Sequence, residues 1–332
     1  DNIVYLIQSL PVVLASQLIA LQLTGAYRTT WRHFGLMDAV SFGRGVVLGD
    51  VLAERLFRTG RVCDLPPGPQ VILTTTDLST GRAFRVSRDF VGGYDFGYVE
   101  PTPSAIPLGL IAAASAAVPG LIPPVSISTE GLGLVDAPGV LSLADGGVYD
   151  NLGLEWFQGW ASGRPDSARR PDFLIVANAS GLLNRTDRRY GTVTGLMRAR
   201  DVQYSQTTRL RVRWYVRDLI AGRASGTYQA VELDPREFRM PDGTPIDSGL
   251  YDGALPSALV ALLARLRTDL NCFSAEEADL LSYHAYWSLH ARLGALHPSM
   301  AVVRPAWRQY ATVDRAELQQ IAVRLARGAR RF

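Results

Sequence analysis

The sequence predicts an α/β protein, organised as a three-layer α/β/α sandwich with a mostly parallel central sheet. Segments with strand character alternate with segments of helical periodicity, which indicates strands covered by helices on both faces. The run DFLIVANAS, residues 172–180, is mainly apolar and of strand length, as is typical of a strand buried on both faces. A chain of 332 residues is long enough to bury the core of such a sandwich.

The elements of the first half follow from local patterns. Residues 43–57, GRGVVLGDVLAERLF, repeat apolar side chains at intervals of three and four, which predicts an amphipathic helix. Residues 71–89 contain two β-branched or alternating runs around DLSTG, which predicts two strands joined by a turn. Residues 104–125 contain a helix dense in alanine and serine that ends before Pro119. Its small side chains allow a close approach to a sheet.

The second half has a different character. The stretch TTRLRVRWYVRD alternates as a strand does, with Arg209, Arg211 and Arg213 on one face. Solvated or carboxylate-paired arginines and contact with anionic lipid are both open interpretations of that face. Two helical patterns, ALPSALVALLARLRTDL and AEEADLLSYHAYWSLHARL, follow. We predict an α/β core over residues 1–185 and, packed on it, a C-terminal extension of mixed strand and helix over residues 186–332.

The amino-acid composition narrows the classes of partner and cofactor that the sequence indicates. The net charge of +3 is too small to indicate a nucleic-acid partner, and all 34 basic residues are arginine. Cys63, Cys272 and the four histidines show no metal-ligand spacing. The sequence therefore indicates neither a metal nor an organic cofactor, and it does not indicate an oligomeric state.

The opening segment leaves the relation to membranes open. Residues 2–27 carry no charged side chain and are long enough to span a bilayer, but Pro11 and three glutamines interrupt them. Helices packed on the protein, an element lying on a membrane surface and a true span are three open interpretations. We expect a cytoplasmic or peripherally membrane-associated protein.

The stretch SLADGGVYDNLGLE carries the strongest indication of chemistry. Asp145 follows the apolar run VLSLA, and in parallel sheets reactive groups gather beyond the carboxyl ends of the strands. Gly146 and Gly147 are expected to shape the turn, because glycine adopts positive φ and lets other groups approach closely. Asp150 and Asn151 are expected to cap a following helix. Asp145 is therefore a candidate catalytic carboxylate, and a turn-capping role is the structural alternative.

This stretch resembles the aspartate motif of the patatin-like phospholipases, in which Asp-Gly-Gly or Asp-Gly-Ala supplies half of a Ser–Asp dyad. Other segments resemble the family in the same order: VILTTTDLSTGRAFRVS its strand–turn–strand, IPLGLIAAASAAVPGLIPPV its small-residue helix, and DFLIVANAS the strand after the aspartate. The resemblance covers about residues 45–181. It implies a patatin-like sandwich in which Asp145 matches the dyad aspartate and Gly146 and Gly147 match the glycines after it.

The resemblance also implies an activity, which is hydrolysis of lipid, phospholipid or other acyl esters through a serine acyl-enzyme. The family's nucleophile lies on a G-x-S-x-G elbow after a glycine-rich oxyanion loop. Ser41, Ser115, Ser180 and Ser248 all lack the flanking glycines, so we find no nucleophile in this chain. In the family both elements come well before the aspartate. We therefore expect them upstream of Asp1, a sandwich incomplete at its N-terminus, and no activity from these 332 residues alone.

Two rival functions come from other classes. An aspartic protease needs two matching Asp-Thr/Ser-Gly strands that share a proton, whereas Asp145 lacks the Thr or Ser and Asp247 lies in a turn-rich stretch. A non-catalytic module that binds a lipid surface or a partner on a patatin-like scaffold is the stronger alternative. The uncharged opening, the YDFGYVEP loop and the arginine-rich stretch would all suit such a module.

Overall fold

The chain divides into two compact units, Asp1–Arg170 and Pro171–Phe332. Residues 2–27 and Ser41 lie outside the part of the chain that the structure describes. A computed structural model describes residues 44–119, 121–157, 163–169, 171–180, 183, 187, 189–266, 273–300, 310 and 313–328.

The first unit is built on a six-stranded sheet. Its strands are β1 (Ile72–Asp77), β2 (Arg82–Ser87), β3 (Val91–Gly93), β4 (Gly97–Val99), β5 (Val125–Ser128) and β6 (Val140–Asp145). Across the sheet the order is β4-β3-β2-β1-β6-β5. Every pair of neighbours is antiparallel.

The predicted α/β/α sandwich with a mostly parallel sheet is therefore wrong. Parallel neighbours need a crossover of about a dozen residues or more. β2 ends at Ser87 and β3 begins at Val91, and β3 ends at Gly93 and β4 begins at Gly97, so these connections are too short for a crossover. Alternation of strand and helix along the sequence did not reveal that the chain returns to the sheet in the opposite direction each time.

The strand–turn–strand predicted over residues 71–89 is confirmed. β1 and β2 pair with Thr75 opposite Phe84 and Asp77 opposite Arg82. The buried Asp77 closes the turn, because its carboxylate accepts hydrogen bonds from the hydroxyls of Ser79 and Thr80 at 2.7 and 2.8 Å. Turn chemistry at DLSTG thus fixes the register of the two strands.

Helices cover the sheet at close range. The helices of this unit are α1 (Arg44–Arg55), α2 (Leu108–Ser115) and α3 (Gly146–Asp150). The predicted small-residue helix is confirmed as α2, in which Ala113 and Ala114 are fully buried. A Cβ on Gly109 would lie 2.5 Å from the carbonyl oxygen of Gly49 in α1. The small residues thus let α2 approach α1 as well as the sheet, where Phe84, Ile111 and Leu143 join one apolar core.

The second unit combines two parallel strands with helices. Its elements are β7 (Leu174–Asn178), α4 (Thr192–Ile220), β8 (Gly226–Ala230), α5 (Ser257–Leu263), α6 (Ala275–Leu296) and α7 (Arg315–Gly328). Leu255, Leu280, Tyr283 and Trp287 are fully buried and form the centre of its core. The two helices predicted around residues 254–270 and 275–293 are present as α5 and α6.

Two predictions for this unit are wrong. The run at residues 172–180 is a strand, but it is not buried on both faces, because Ile175 of β7 is 48% exposed. The stretch TTRLRVRWYVRD lies in α4 and is helical. Successive side chains of a helix turn by about 100°, so Arg211 points away from the side that Arg209 and Arg213 share, and the three arginines do not form one face. Within the described residues, no helix is both long and apolar enough to cross a bilayer.

A tyrosine hydrogen bond helps to attach α4 to the parallel strands. The hydroxyl of the buried Tyr215 donates a hydrogen bond to the carbonyl oxygen of Leu174 in β7, at 2.6 Å. Burial raises the pKa of Tyr215 to about 12, so the phenol remains a donor at neutral pH. Gly226 makes room for this contact, because a Cβ there would collide with the Tyr215 hydroxyl and with the Leu174 carbonyl.

Packing of α1 on α2 can be tested with Gly109→Ala. The added methyl would press on Gly49 and on Ala53, whose backbone nitrogen would lie 2.8 Å from the new Cβ. We expect a loss of about 1–3 kcal/mol in the free energy of unfolding, measured by urea denaturation. Gly139→Ala is the matched control, because a Cβ there has no neighbour within 4 Å. Equal stability of the two variants would contradict the described packing.

Candidate functional site

Asp145 lies where strand becomes helix. It is the last residue of β6 and the N-cap of α3, and its carboxylate accepts a hydrogen bond from the Gly147 backbone N–H at 2.5 Å. Its own N–H donates to the carbonyl oxygen of Ala117 at 3.0 Å. The residue is partly exposed. The carboxylate is therefore fixed at its backbone end and open to solvent at part of its surface.

The environment of Asp145 favours its protonated form. Burial raises the pKa of the Asp145 carboxyl, and the hydrogen bond from Gly147 offsets this only in part. No charged group of the described residues contributes to the shift. Asp218 in the second unit shows the usual case, since its hydrogen bond from Arg223 lowers its pKa. Asp145 is thus a partly buried carboxylate with no cationic partner among the described residues.

Gly146 is required for a reason that differs from the expected one. Neither Gly146 nor Gly147 adopts a positive φ, because both lie in α3. A Cβ on Gly146 would instead collide with the carbonyl of Thr74 in β1. The motif needs a residue without a side chain here because a neighbouring strand passes directly over it. Gly147 contributes the N–H that binds Asp145.

The contacts of two hydroxyls in the site were not predicted from the sequence. The Thr76 hydroxyl donates to the carbonyl oxygen of Asp145 at 2.8 Å and accepts from the Tyr149 N–H at 3.1 Å, so it ties β6 to α3. The Ser115 hydroxyl donates to the carbonyl oxygen of Thr74 at 2.8 Å. The sequence showed TTT only as β-branched strand residues, and nothing in it indicated which threonine faces the motif.

The residues after α3 form turns, and the helix expected there is absent from residues 151–157. Asn151 is the C-cap of α3. The buried Asp150 accepts hydrogen bonds from the N–H groups of Leu152 at 3.2 Å and Glu155 at 2.7 Å. Asp150 therefore folds the chain back over a turn, which corrects its predicted role as an N-cap.

An ion pair fixes the far end of this segment. Glu155 pairs with Arg85 of β2, whose side chain is 5% exposed. The Arg85 guanidinium lies over the ring of Trp156, 4.9 Å from its centroid, and donates to the hydroxyl of Tyr98 at 3.2 Å. Trp156 stacks in turn on Phe90, with ring centroids 5.3 Å apart. The whole stretch from Asp145 to Trp156 is thus held against the sheet.

Among the described residues, the candidate serine of the first unit is Ser115. Its hydroxyl donates to Thr74. Ser180 and Ser248 belong to the second unit. Asp247 only caps a short 3₁₀ helix, Ser248–Leu250, by accepting from the Gly249 N–H at 3.2 Å. Among the described residues, no group of three or more histidine, cysteine, aspartate or glutamate side chains could hold a metal ion.

The close approach at Gly146 predicts a strong effect of one methyl group. Gly146→Ala would push against the Thr74 backbone, which is held in the middle of the sheet. We expect the free energy of unfolding to fall by about 1–3 kcal/mol in urea denaturation. Gly139→Ala, in the same unit and without neighbours, should change little. A stable Gly146→Ala variant would show that β1 does not pass over this residue.

The raised pKa of Asp145 predicts a pH dependence with a definite sign. The folded protein takes up the proton at a higher pH than the unfolded chain, so ionisation of Asp145 lowers the free energy of unfolding as the pH rises through the folded-state pKa. Asp145→Asn removes this effect, while its amide oxygen can still accept from Gly147. We expect the stability of Asp145→Asn relative to wild type to increase from acidic to neutral pH in urea denaturation.

Asp242→Asn is the control of opposite sign. Hydrogen bonds from Thr244 lower the pKa of Asp242, so this carboxylate stabilises the folded state above its unfolded pKa and the substitution should cost stability at neutral pH. If both variants follow the same pH dependence, the raised pKa of Asp145 is refuted.

Comparison of the chain with protein-family models, with curated protein sequences and with solved structures finds no match in any of the three. The resemblance to the patatin-like phospholipases therefore stays a prediction from the motifs. A functional proposal has to rest on Asp145 and the groups that surround it.

Proposed function

We propose that Asp145 is the proton-accepting carboxylate of a serine hydrolase that acts on lipid or other acyl esters. The observation that carries the proposal is the electrostatic state of this side chain. It is partly buried, its pKa is raised, and no charged group of the described residues compensates it. Carboxylates with a purely structural role are usually paired or hydrogen-bonded in ways that lower the pKa.

The proposed chemistry uses this carboxylate twice. The oxygen of a serine attacks the carbonyl carbon of the ester, and Asp145 takes the hydroxyl proton. When the bond from the carbonyl carbon to the alcohol oxygen breaks, that proton passes to the leaving alcohol. Water then attacks the acyl-serine and gives a proton to Asp145, which returns it to the serine oxygen as the carboxylic acid leaves.

The surroundings of Asp145 support a role as general base. A base is most effective when its pKa lies near the working pH, and burial shifts the Asp145 pKa in that direction. Thr76 and Ala117 fix the two peptide units that flank the Cα of Asp145, because one binds its carbonyl oxygen and the other its N–H. Such positioning is what proton transfer within hydrogen-bond distance requires.

The resemblance of the Asp-Gly-Gly motif supports the same general-base role for Asp145, and this support does not depend on the sandwich fold. The position of Asp145 depends on the pairing of β1 with β6, in which Thr75 lies opposite Asp145. In this proposal the nucleophile is a serine outside the described residues, and the oxyanion donors are outside them as well. The proposal therefore concerns one half of a catalytic site.

Asp145→Asn tests the proposal in the full translated product of the reading frame that encodes this chain. Loss of a general base should lower kcat for p-nitrophenyl ester hydrolysis about 10²- to 10⁴-fold with little change in KM. In the wild type, kcat should rise with pH as Asp145 ionises, at a pKa raised from the ordinary aspartate value. Labelling by a fluorophosphonate probe should slow in parallel, because the serine loses its proton acceptor.

Asp247→Asn is the matched control, because Asp247 also precedes a short helix and binds the N–H two residues on. It should leave kcat and labelling unchanged. Unchanged hydrolysis by Asp145→Asn would refute the proposal. Absence of both hydrolysis and labelling in wild type would also refute it, and would favour the alternative, a non-catalytic module that binds a lipid surface or a partner.

A further inference from the structure

Helix α4 is attached to its unit along one narrow face. Among its described side chains the buried ones are Thr208 and Tyr215, seven positions apart and therefore on the same side of the helix. Tyr215 supplies the hydrogen bond to Leu174. The opposite side of the last three turns is not covered by the described residues.

That uncovered side carries large apolar side chains. We call the stripe Leu210, Arg213, Trp214, Arg217 and Ile220 the α4 outer face, since its spacing of three and four residues keeps these side chains on one side of a helix. Leu210 is 45% exposed, Trp214 53% and Ile220 63%. Three such residues on one stripe form an apolar patch of a kind that marks interaction sites.

A shallow groove adjoins this stripe. Its volume is about 460 Å³, and the described residues that line it all come from the end of α4: Val212, Arg213, Val216, Arg217, Ile220 and Ala221. Its lining is almost entirely apolar and includes three branched aliphatic side chains. The groove therefore offers contact to an apolar chain.

The charge of α4 is strongly one-sided. The helix contains six arginines and two aspartates. Both aspartates lie off the outer face and have arginine partners, Asp201 with Arg200 and Asp218 with Arg223 and Arg217. Arg213 has no carboxylate partner among the described residues, and its Nε donates only to the carbonyl oxygen of Arg209, at 3.3 Å. The outer face itself contains no acidic residue.

We propose that the α4 outer face docks onto a membrane surface that contains anionic phospholipid. Arginine guanidinium groups bind phosphate, and their aliphatic stems lie along apolar surface. Tryptophan prefers the boundary between head groups and acyl chains, and Leu210 and Ile220 add apolar area on the same side. The helix lies in the plane of the interface, with α4 bound to its own unit by the opposite side.

The positive charge of the α4 outer face favours an anionic membrane over a second copy of the chain as its binding partner. Two α4 outer faces in contact would bring Arg213 and Arg217 of one copy near the same residues of the other, and the carboxylate that borders each face, Asp218, is already shared by Arg217 and Arg223. Like charges at that range are destabilising. An anionic lipid surface instead supplies many phosphate groups that the arginines can reach with small adjustments of their long side chains.

Vesicle co-sedimentation of the full chain tests this docking. We expect the protein to bind vesicles of phosphatidylcholine with about one third phosphatidylglycerol much more strongly than pure phosphatidylcholine, and less strongly as salt screens the charges. The double variant Arg213→Gln, Arg217→Gln should lower the partition coefficient about tenfold or more. Brominated acyl chains should quench the fluorescence of wild type more than that of Trp214→Phe.

The charge-matched control is Arg82→Gln with Arg324→Gln. Both arginines are 49% exposed and sit in surface ion pairs, so their loss removes the same charge at little cost in stability. This control should bind as wild type does. Asp145→Asn should also bind normally, so a failure of the proposed catalytic role and a failure of membrane docking are distinguishable.

Three results would overturn the docking proposal. One is no binding of wild type to anionic vesicles. Another is equal loss of binding in the two double variants, which would show that net charge and not the outer face is responsible. The third is a concentration-dependent dimer that Trp214→Ala dissociates in sedimentation velocity, which would assign the face to a second copy. Circular dichroism of each variant checks that α4 remains folded.

Discussion

The site depends on how closely β1 passes over the end of β6. The carbonyl of Thr74 lies against Gly146, and the hydroxyl of Thr76 binds both the Asp145 carbonyl and the Tyr149 N–H. Two residues of one strand, Thr74 and Thr76, thus determine where β6 ends and where α3 begins. Because the backbone itself makes the contact, no rotation of a side chain can relieve a substitution at Gly146.

The buried or partly buried charged side chains of the first unit have two kinds of environment. Arg85 and Glu155 form an ion pair surrounded by aromatic rings, and Asp77 receives hydrogen bonds from two hydroxyls of its own turn. Asp145 receives a single backbone hydrogen bond and no cation from the described residues, although the same sheet holds it. The well-satisfied groups hold the segment in place, and the poorly satisfied carboxylate is the one with free energy to gain from a proton or a new partner.

Local patterns predicted the elements better than their arrangement. The hairpin of β1 and β2 and helices α1, α2 and α6 follow from turn residues and apolar spacing, which act over a few neighbouring positions. The direction of the strands does not, because β6 pairs with β1 through residues that are far apart in sequence, such as Thr75 with Asp145 and Asp77 with Leu143. Arginines alternating with apolar residues also imitated a strand in α4, where Thr208 and Tyr215 are the buried members of the described side chains. The sequence motif predicted Asp145 as a strand-end residue, whereas the contacts of Thr74, Thr76 and Ser115 arise only from the way distant segments pack.

Gly226 links two features of the second unit that would otherwise be independent. It pairs with Leu174 in the parallel ladder, its φ is +153°, and the Tyr215 hydroxyl occupies the space where a side chain would be. The register of β8 on β7 and the packing of α4 therefore both depend on the absence of a side chain at Gly226. A shift of β8 by one residue along β7 would move Gly226 away from the Tyr215 hydroxyl. Helix α4 would then have to move as well, because a side chain would occupy the space of the phenol.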